Sequence, residues 1–202
     1  MAFRFLDPGP LIDGELELVA PHRRLIDDLL AGVDPSFGRT TRSQVEDFLR
    51  VAPSGRQPAD TAGGRVPAYH FWLKLHPAFG PNLPKWANGK SGRSPPLQIA
   101  GGIGLRIGHT ADIEFYLGHI GYNVHPFARG NHYAERACRL LRPLAVAHGI
   151  RPLWITCNPD NLPSRRTCER LGCVLVETLP LPMDHPLRQR GDRDKLRFRW
   201  DV

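Results

Sequence analysis

GHIGYNVHPFARGNHYA, residues 118–134, is the stretch on which the reading of this chain turns. Ile120, Tyr122 and Val124 alternate with His119, Gly121 and Asn123, the period-two pattern of a strand. Pro126 has no N–H to give a neighbouring strand and ends the run. Arg129-Gly130-Asn131-His132-Tyr133-Ala134 then leads into a long helical pattern. The first N–H groups of a helix have no partner within it and lie at the positive end of its dipole. Strand, turn and helix start in this order make an anion site suited to phosphate. Arg129 adds a guanidinium, and Gly130 lets a ligand approach the backbone closely.

Outward from this stretch, the pattern predicts a strand over 15–20 and a helix over 22–31, with Leu25, Ile26, Leu29 and Leu30 at helical spacing. Thr41-Arg-Ser-Gln44 has the form of a capping box and starts a second helix, with Val45, Phe48 and Leu49 on one face. Residues 52–65 read as a Pro/Gly loop and 66–75 as an aromatic-rich strand. The Pro/Gly-rich segment 76–96 reads as a disordered or family-specific insertion, or as a lid, before a strand over 97–107. That strand is Gly-rich but has no helix behind it, so it is a poor dinucleotide fingerprint. A short link over 109–117 joins it to the central strand.

The long helix runs over 131–148, with Pro143 predicting a kink or break and Gly149 a C-terminal stop. Residues 152–157 form a buried strand, Asn158 to Asn161 a capped turn, and 164–172 a short helix ended by Gly172. A strand over 173–177, a Pro/Arg loop over 179–194 and an alternating strand over 195–200 complete the order β-α-α-β-β-β-α-β-α-β-β.

The 202 residues suffice for one domain with a substantial core. Lys plus Arg number 27 against 20 Asp plus Glu, for a formal charge of +7. Two readings follow: a basic composition without specific meaning, or an anionic partner. The basic residues are dispersed and form no nucleic-acid-binding signature, so nucleic acid is not the expected partner. No apolar run is long enough to span a bilayer, and the N-terminus lacks a signal-peptide pattern, which points to the cytoplasm. Cys138, Cys157, Cys168 and Cys173 show no CxxC spacing and read as reduced core residues; the nine histidines are scattered, and no metal site is expected. No Gly-x-Ser-x-Gly elbow, HExxH or Walker A loop is present.

Residues 129–134 resemble the pyrophosphate loop of the GCN5-related N-acetyltransferase (GNAT) superfamily, Gln/Arg-x-x-Gly-x-Gly/Ala, with His132 in the place of the middle glycine. ITCNPDNLPSRRTCERLG, residues 155–172, is similar to the family's strand, Asn turn and short helix, with Cys173 where the family has Phe. The segment from Gly101 to Pro126 further resembles a bacterial branch of predicted acetyltransferases with a Gly-His-Ile-Gly-Tyr strand. The resemblance covers nearly the whole chain. It implies an α/β (α+β) fold: a single GNAT-like domain over 1–202, with insertions at 52–65, 76–96 and 179–194. Its central sheet would be mixed, mostly antiparallel, splayed at the acyl-CoA site and flanked by helices.

The resemblance also implies a reaction, transfer of an acetyl group from acetyl-CoA to a primary amine, either a small molecule or on a protein. The other reading is a non-catalytic acyl-CoA-binding or regulatory module. By the family pattern, Asn123 and Val124 offer backbone groups to pantetheine. Arg129, Gly130, Asn131, His132, Tyr133 and Ala134 hold the pyrophosphate. Asn161 either contacts the CoA arm or serves only as a helix cap. His119, placed where many members carry a Glu base, is a candidate base or else hydrogen-bonds a strand neighbour; Glu114 is a second candidate. Cys168 stands where the family often uses a tyrosine acid, with a buried core residue as the other reading. Tyr122 and Tyr133 are the nearest hydroxyls in sequence. An exposed last strand makes a homodimer plausible.

Overall fold

The computed structural model of the chain describes residues 3–32, 40–60, 62–76 and 99–202. Most of the expected 76–96 insertion lies outside these residues. The elements are β1 (Ile12–Asp13), β2 (Leu16–Val19), α1 (Ile26–Gly32), α2 (Arg42–Val51), β3 (Arg56–Gln57), β4 (Ala68–Leu75) and β5 (Ile99–Arg106). Then follow β6 (Ile120–Val124), α3 (Tyr133–Ala147), β7 (Leu153–Cys157), α4 (Leu162–Leu171), β8 (Val174–Pro180), α5 (Pro186–Gln189) and β9 (Asp194–Trp200).

The strands form two sheets. One has the order β1-β2-β4-β5-β6, with β3 added on β4; the other has the order β7-β9-β8, and every ladder pair is antiparallel. The inward faces of both sheets and the apolar stripe of α3 share one core, including Leu73, Leu105, Ile120, Leu141 and Ile155. A smaller cluster packs Ile26 and Val45 of the first two helices against Trp72 and Ile99 on the opposite face of the first sheet.

Local signals act as the sequence dictates. Thr41 and Gln44 close the capping box on α2. Asn161 Oδ1 accepts the Ser164 N–H at the start of α4, and Gly172 ends that helix in the left-handed conformation. Two points differ from the sequence reading. Of the kink or break expected at Pro143, the break is absent, because α3 runs as one element from Tyr133 to Ala147, with Leu141, Leu144 and Ala145 buried on either side of the proline. Residues 113–117 are not a plain link but a π-helical turn, closed by a 2.8 Å bond from Gly118 N–H to Ile113 C=O. No described helix is long and apolar enough to cross a membrane.

Candidate active site

Among the described residues, backbone hydrogen bonds join the two sheets at His119. His119 N–H donates to Trp154 C=O at 2.7 Å, and His119 C=O accepts from Arg106 N–H of β5 at 2.8 Å. Gly118, at φ +71, lies against β7. A Cβ there would sit 3.0 Å from Trp154 C=O and 3.1 Å from Thr156 N, so the approach of the two strands requires glycine. Beyond this junction β6 and β7 run side by side in the same direction without forming a ladder. A cleft of about 980 Å³ opens between them, lined by residues from Ile120 to Pro126 on one wall and from Ile155 to Asn158 on the other.

Backbone register determines what each wall offers. In an antiparallel strand, successive peptide groups turn to alternate edges. His119 C=O and His125 N–H bond β5, the latter to Ala100 C=O at 2.8 Å, so Gly121 and Asn123 also turn toward β5. Tyr122 and Val124 therefore turn their peptide groups toward the cleft. Asn123, expected to present its backbone, spends it on Gly102 of β5 and reaches the cleft by its exposed side chain.

The opposite wall carries a hydroxyl that the sequence reading missed. Ser164, in the first turn of α4, lines the cleft and lies 2.9 Å from the Tyr122 hydroxyl. Burial pushes the Tyr122 phenol far above its ordinary range, so it stays protonated and keeps a proton to donate. The spacing Asn161-x-x-Ser164 was the available signal, since an N-cap places the residue three positions on at the same helix end.

His119 is wholly buried, and both of its ring nitrogens are committed. Nε2–H donates to Gly108 C=O and Nδ1 accepts the Trp154 N–H, each at 3.0 Å. These bonds fix one neutral tautomer, and burial lowers the imidazole pKa to about 4. The ring thus fastens the junction and has no lone pair to offer an amine. Glu114 is turned to His109 Nδ1 at 3.0 Å, while its C=O accepts from Arg197, and it does not line the cleft. Cys168 is fully buried beside Cys173. A hydrogen bond with that cysteine, and then burial, push its thiol far upward, and it too is not a lining residue. Cys157 does line the cleft, and burial pushes its thiol up to about 11.

At the turn end, Arg129 Nε donates to Val124 C=O at 3.1 Å. Gly130 has φ +87 and nothing within 4 Å of where a Cβ would be, leaving its backbone approachable. His132 takes the left-handed conformation, φ 57, that a glycine would adopt more readily, and its side chain is half exposed. The Asn131 amide donates to Ala128 C=O at 3.1 Å, ordering the turn. Tyr133 is buried, and burial raises its phenol to about 12. Ala134, at the start of α3, lines the cleft. Asn161 both caps α4 and lines the cleft. At the far side Lys195 Nζ lies 2.5 Å from Asn158 Oδ1 and 2.7 Å from Asp192 Oδ2, a pair whose charges are mutually satisfied. Among the described residues no group of histidine, cysteine or acidic side chains has the form of a metal site.

An open-edged cleft that runs into a phosphate-type turn suits an extended ligand with a phosphorylated end. The residues fit acetyl-CoA on three counts: the cleft-facing peptide groups of Tyr122 and Val124, the approachable Gly130, and His125. His125 lines the cleft beside the turn and is 6% exposed, and its Nε2 has no hydrogen-bond partner among the described residues.

The family model described as the acetyltransferase (GNAT) domain matches residues 70–174, just over half of the chain. The chain belongs to this family. Solved structures of similar fold include the microcin C7 self-immunity acetyltransferase MccE in complex with acetyl-CoA and AMP. It has 16% identity and a TM-score of 0.62, with 94% of each chain covered. The ribosomal L7/L12 alpha-N-protein acetyltransferase RimL, in an apo crystal form, matches at 16% identity and a TM-score of 0.58, covering 95% of this chain and 96% of its own. An acetyltransferase from Agrobacterium tumefaciens matches at 17% identity and a TM-score of 0.57, with coverage of 99% and 98%. No curated protein matches significantly.

Proposed function

We propose that this chain transfers an acetyl group from acetyl-CoA to a primary amine. The observation that carries this reading is the pairing across the cleft: peptide groups of Tyr122 and Val124 on one wall, the Ser164 hydroxyl on the other. Family membership and the acetyl-CoA complex of MccE, a protein of similar fold, support it. Acetyl-CoA supplies an activated thioester carbonyl.

The chain's own residues then have three tasks. A cleft-facing N–H of β6 sits where a carbonyl oxygen gaining negative charge is stabilised by a fixed dipole. The Tyr122 and Ser164 hydroxyls share a hydrogen bond of 2.9 Å, and with Tyr122 as its donor the serine proton is left for a departing sulfur. Arg129, Gly130 and the α3 N-terminus meet the diphosphate, and His125 Nε2 gains a partner there.

With both nitrogens of His119 committed, the proton of the incoming amine passes to water at the cleft mouth. That favours amines of low basicity. An α-amino group with a pKa near ~7.7–8.0 is roughly a tenth neutral at pH 7, whereas a lysine near ~10.4 is neutral in only about one molecule in a few thousand. Acetyl-CoA titration, paired with thiol release over a panel of α-amines and lysine-type amines, tests the proposal. Binding with faster thiol release from α-amines is expected. Absence of acetyl-CoA binding would overturn it, and binding without release from any amine would make the chain a non-catalytic acyl-CoA module.

A further inference from the structure

On the face of the first sheet turned toward α1 and α2, glycine takes three of the six places in two central cross-strand rows. The cross-strand row there is His70 of β4, Gly104 of β5 and Gly121 of β6, and the next row is Trp72, Gly102 and Asn123. Gly121 also lines the cleft. What lies above Gly121 is Arg106: a Cβ at Gly121 would be 3.5 Å from Nη1 and 3.7 Å from Nη2.

Arg106 is an unusual cation. It is half-buried, and burial works against its charge. Nη1 donates to the carbonyls of Gly118 at 3.1 Å and Leu117 at 3.4 Å, and the guanidinium makes no ion pair among the described residues. The nearest acid it feels is Asp112, which is taken by His185 Nε2 at 2.7 Å. Arg106 is not itself a lining residue of the cleft but stands directly behind Gly121, which is; the cations that do line the cleft are differently placed. Lys195 is matched by Asp192, and Arg129 belongs to the turn at the opposite end. A half-buried guanidinium without a counter-charge is a poor structural element and a good receptor, because its fork-like donors await a carboxylate or phosphate.

We propose that Arg106, viewed through the gap left by Gly121, binds an anionic group on the acceptor, so that the acceptor class is an amine bearing a carboxylate or phosphate. The inference rests on the proposed function for the position of the amine. Gly121 lies one to three residues from the cleft-facing peptide groups of Tyr122 and Val124. At about 3.3 Å per residue the anion then sits roughly 3–10 Å from the reacting nitrogen. That span fits a short amino acid such as γ-aminobutyrate. It equally fits a peptide with an acidic residue directly after its free N-terminus.

The test uses the full chain and calorimetric titration, with and without CoA, of probes that differ by one charge. The pairs are γ-aminobutyrate against γ-aminobutyramide, and C-terminally amidated Ser-Asp-Ala against Ser-Asn-Ala. The acidic member of at least one pair is expected to bind about tenfold or more tightly than its amide, as for a hydrogen bond to a charged group. Preference confined to the first pair assigns a small-molecule source for the anion, and preference confined to the second assigns a peptide. Arg106→Gln should bring the ratio to about one while leaving CoA affinity unchanged. Because Arg106 also holds two carbonyls, Gly121→Ala serves as the second variant. It keeps the arginine, narrows access to it, and should lower the same ratio. Equal binding of acid and amide in both pairs, no binding of any probe, or a ratio unmoved in both variants would overturn the inference. Failure of CoA binding is read separately and bears on the proposed function instead.

Discussion

The two ends of β6 differ in one respect that organises the molecule. At the junction end, the Gly118 N–H, the His119 N–H and both ring nitrogens of His119 find partners inside the chain. The His119 ring even replaces a ladder bond by accepting the Trp154 N–H. At the open end, four residues on, the peptide groups of Tyr122 and Val124 face a cleft and a serine hydroxyl stands opposite. One strand thus carries a closed seam and an open one. The closed seam ties the strands together at one end, and the open seam leaves the groups that face the cleft.

The largest expected effect comes from breaking the closed seam directly. Gly118→Val places a Cβ about 3 Å from the β7 backbone at a positive φ. Thermal unfolding should reveal a loss of roughly 2–4 kcal/mol, or failure to fold. A stability within ~0.5 kcal/mol of the parent would mean that the strands do not meet there.

His119 is the next link to cut. His119→Leu leaves the Trp154 N–H and the Gly108 C=O without partners, for a loss of roughly 2–3 kcal/mol in a denaturant melt. The unmodified ring also makes a pH prediction. Its folded pKa of about 4 lies below the ordinary 6.5, so the unfolded chain binds the extra proton between those values. Stability therefore falls as pH drops from about 6.5 toward 4, by up to roughly 3 kcal/mol for this one group. His70, lowered likewise to about 4 by burial and then by the nearby Arg106 charge, adds a similar slope. The His119→Leu chain should lose the His119 share of that acid sensitivity, while His70, His125 and His148, also lowered by burial, keep theirs. An unchanged pH slope would place the titration elsewhere.

At the open seam the effects fall on function and are smaller in free energy. Ser164→Ala should lower kcat about 10–100-fold with acetyl-CoA affinity nearly intact, because the hydroxyl acts on the departing sulfur. Equal losses in binding and turnover would instead make it a binding residue. Arg129→Ala should weaken CoA binding by roughly tenfold and spare the melting temperature. Unaltered affinity in a titration would remove the side chain from the diphosphate site.

Much of the fold was legible because its signals are local. Thr41 with Gln44, Asn161 before α4, and Gly149 and Gly172 at helix ends each act within a few residues, and each stands where the sequence puts it. The turn before α3 was legible for the same reason. The chemistry of His119 was not. Its partners, Gly108 and Trp154, lie 11 and 35 residues away, and nothing local distinguishes a base from a buried fastener. Asn123 was misassigned because alternation alone does not say which peptide groups turn to which edge. That is set by the register with β5, which becomes known only once Gly102 is seen opposite. Ser164 read as one more residue of a short helix until Tyr122, 42 positions earlier, proved to be its neighbour. Arg106 reads as the end of a strand, and the gap at Gly121 that uncovers it exists only in the folded sheet.

The register of β6 also fixes a pattern in time. The amides of Gly121, Asn123 and His125 are held by β5, whereas those of Tyr122 and Val124 point into the cleft. Hydrogen exchange along this strand should therefore alternate, slow at the odd positions and fast at the even ones, within a segment that is otherwise well packed. An extended ligand lying against the strand would slow the even amides and leave the odd ones as they were.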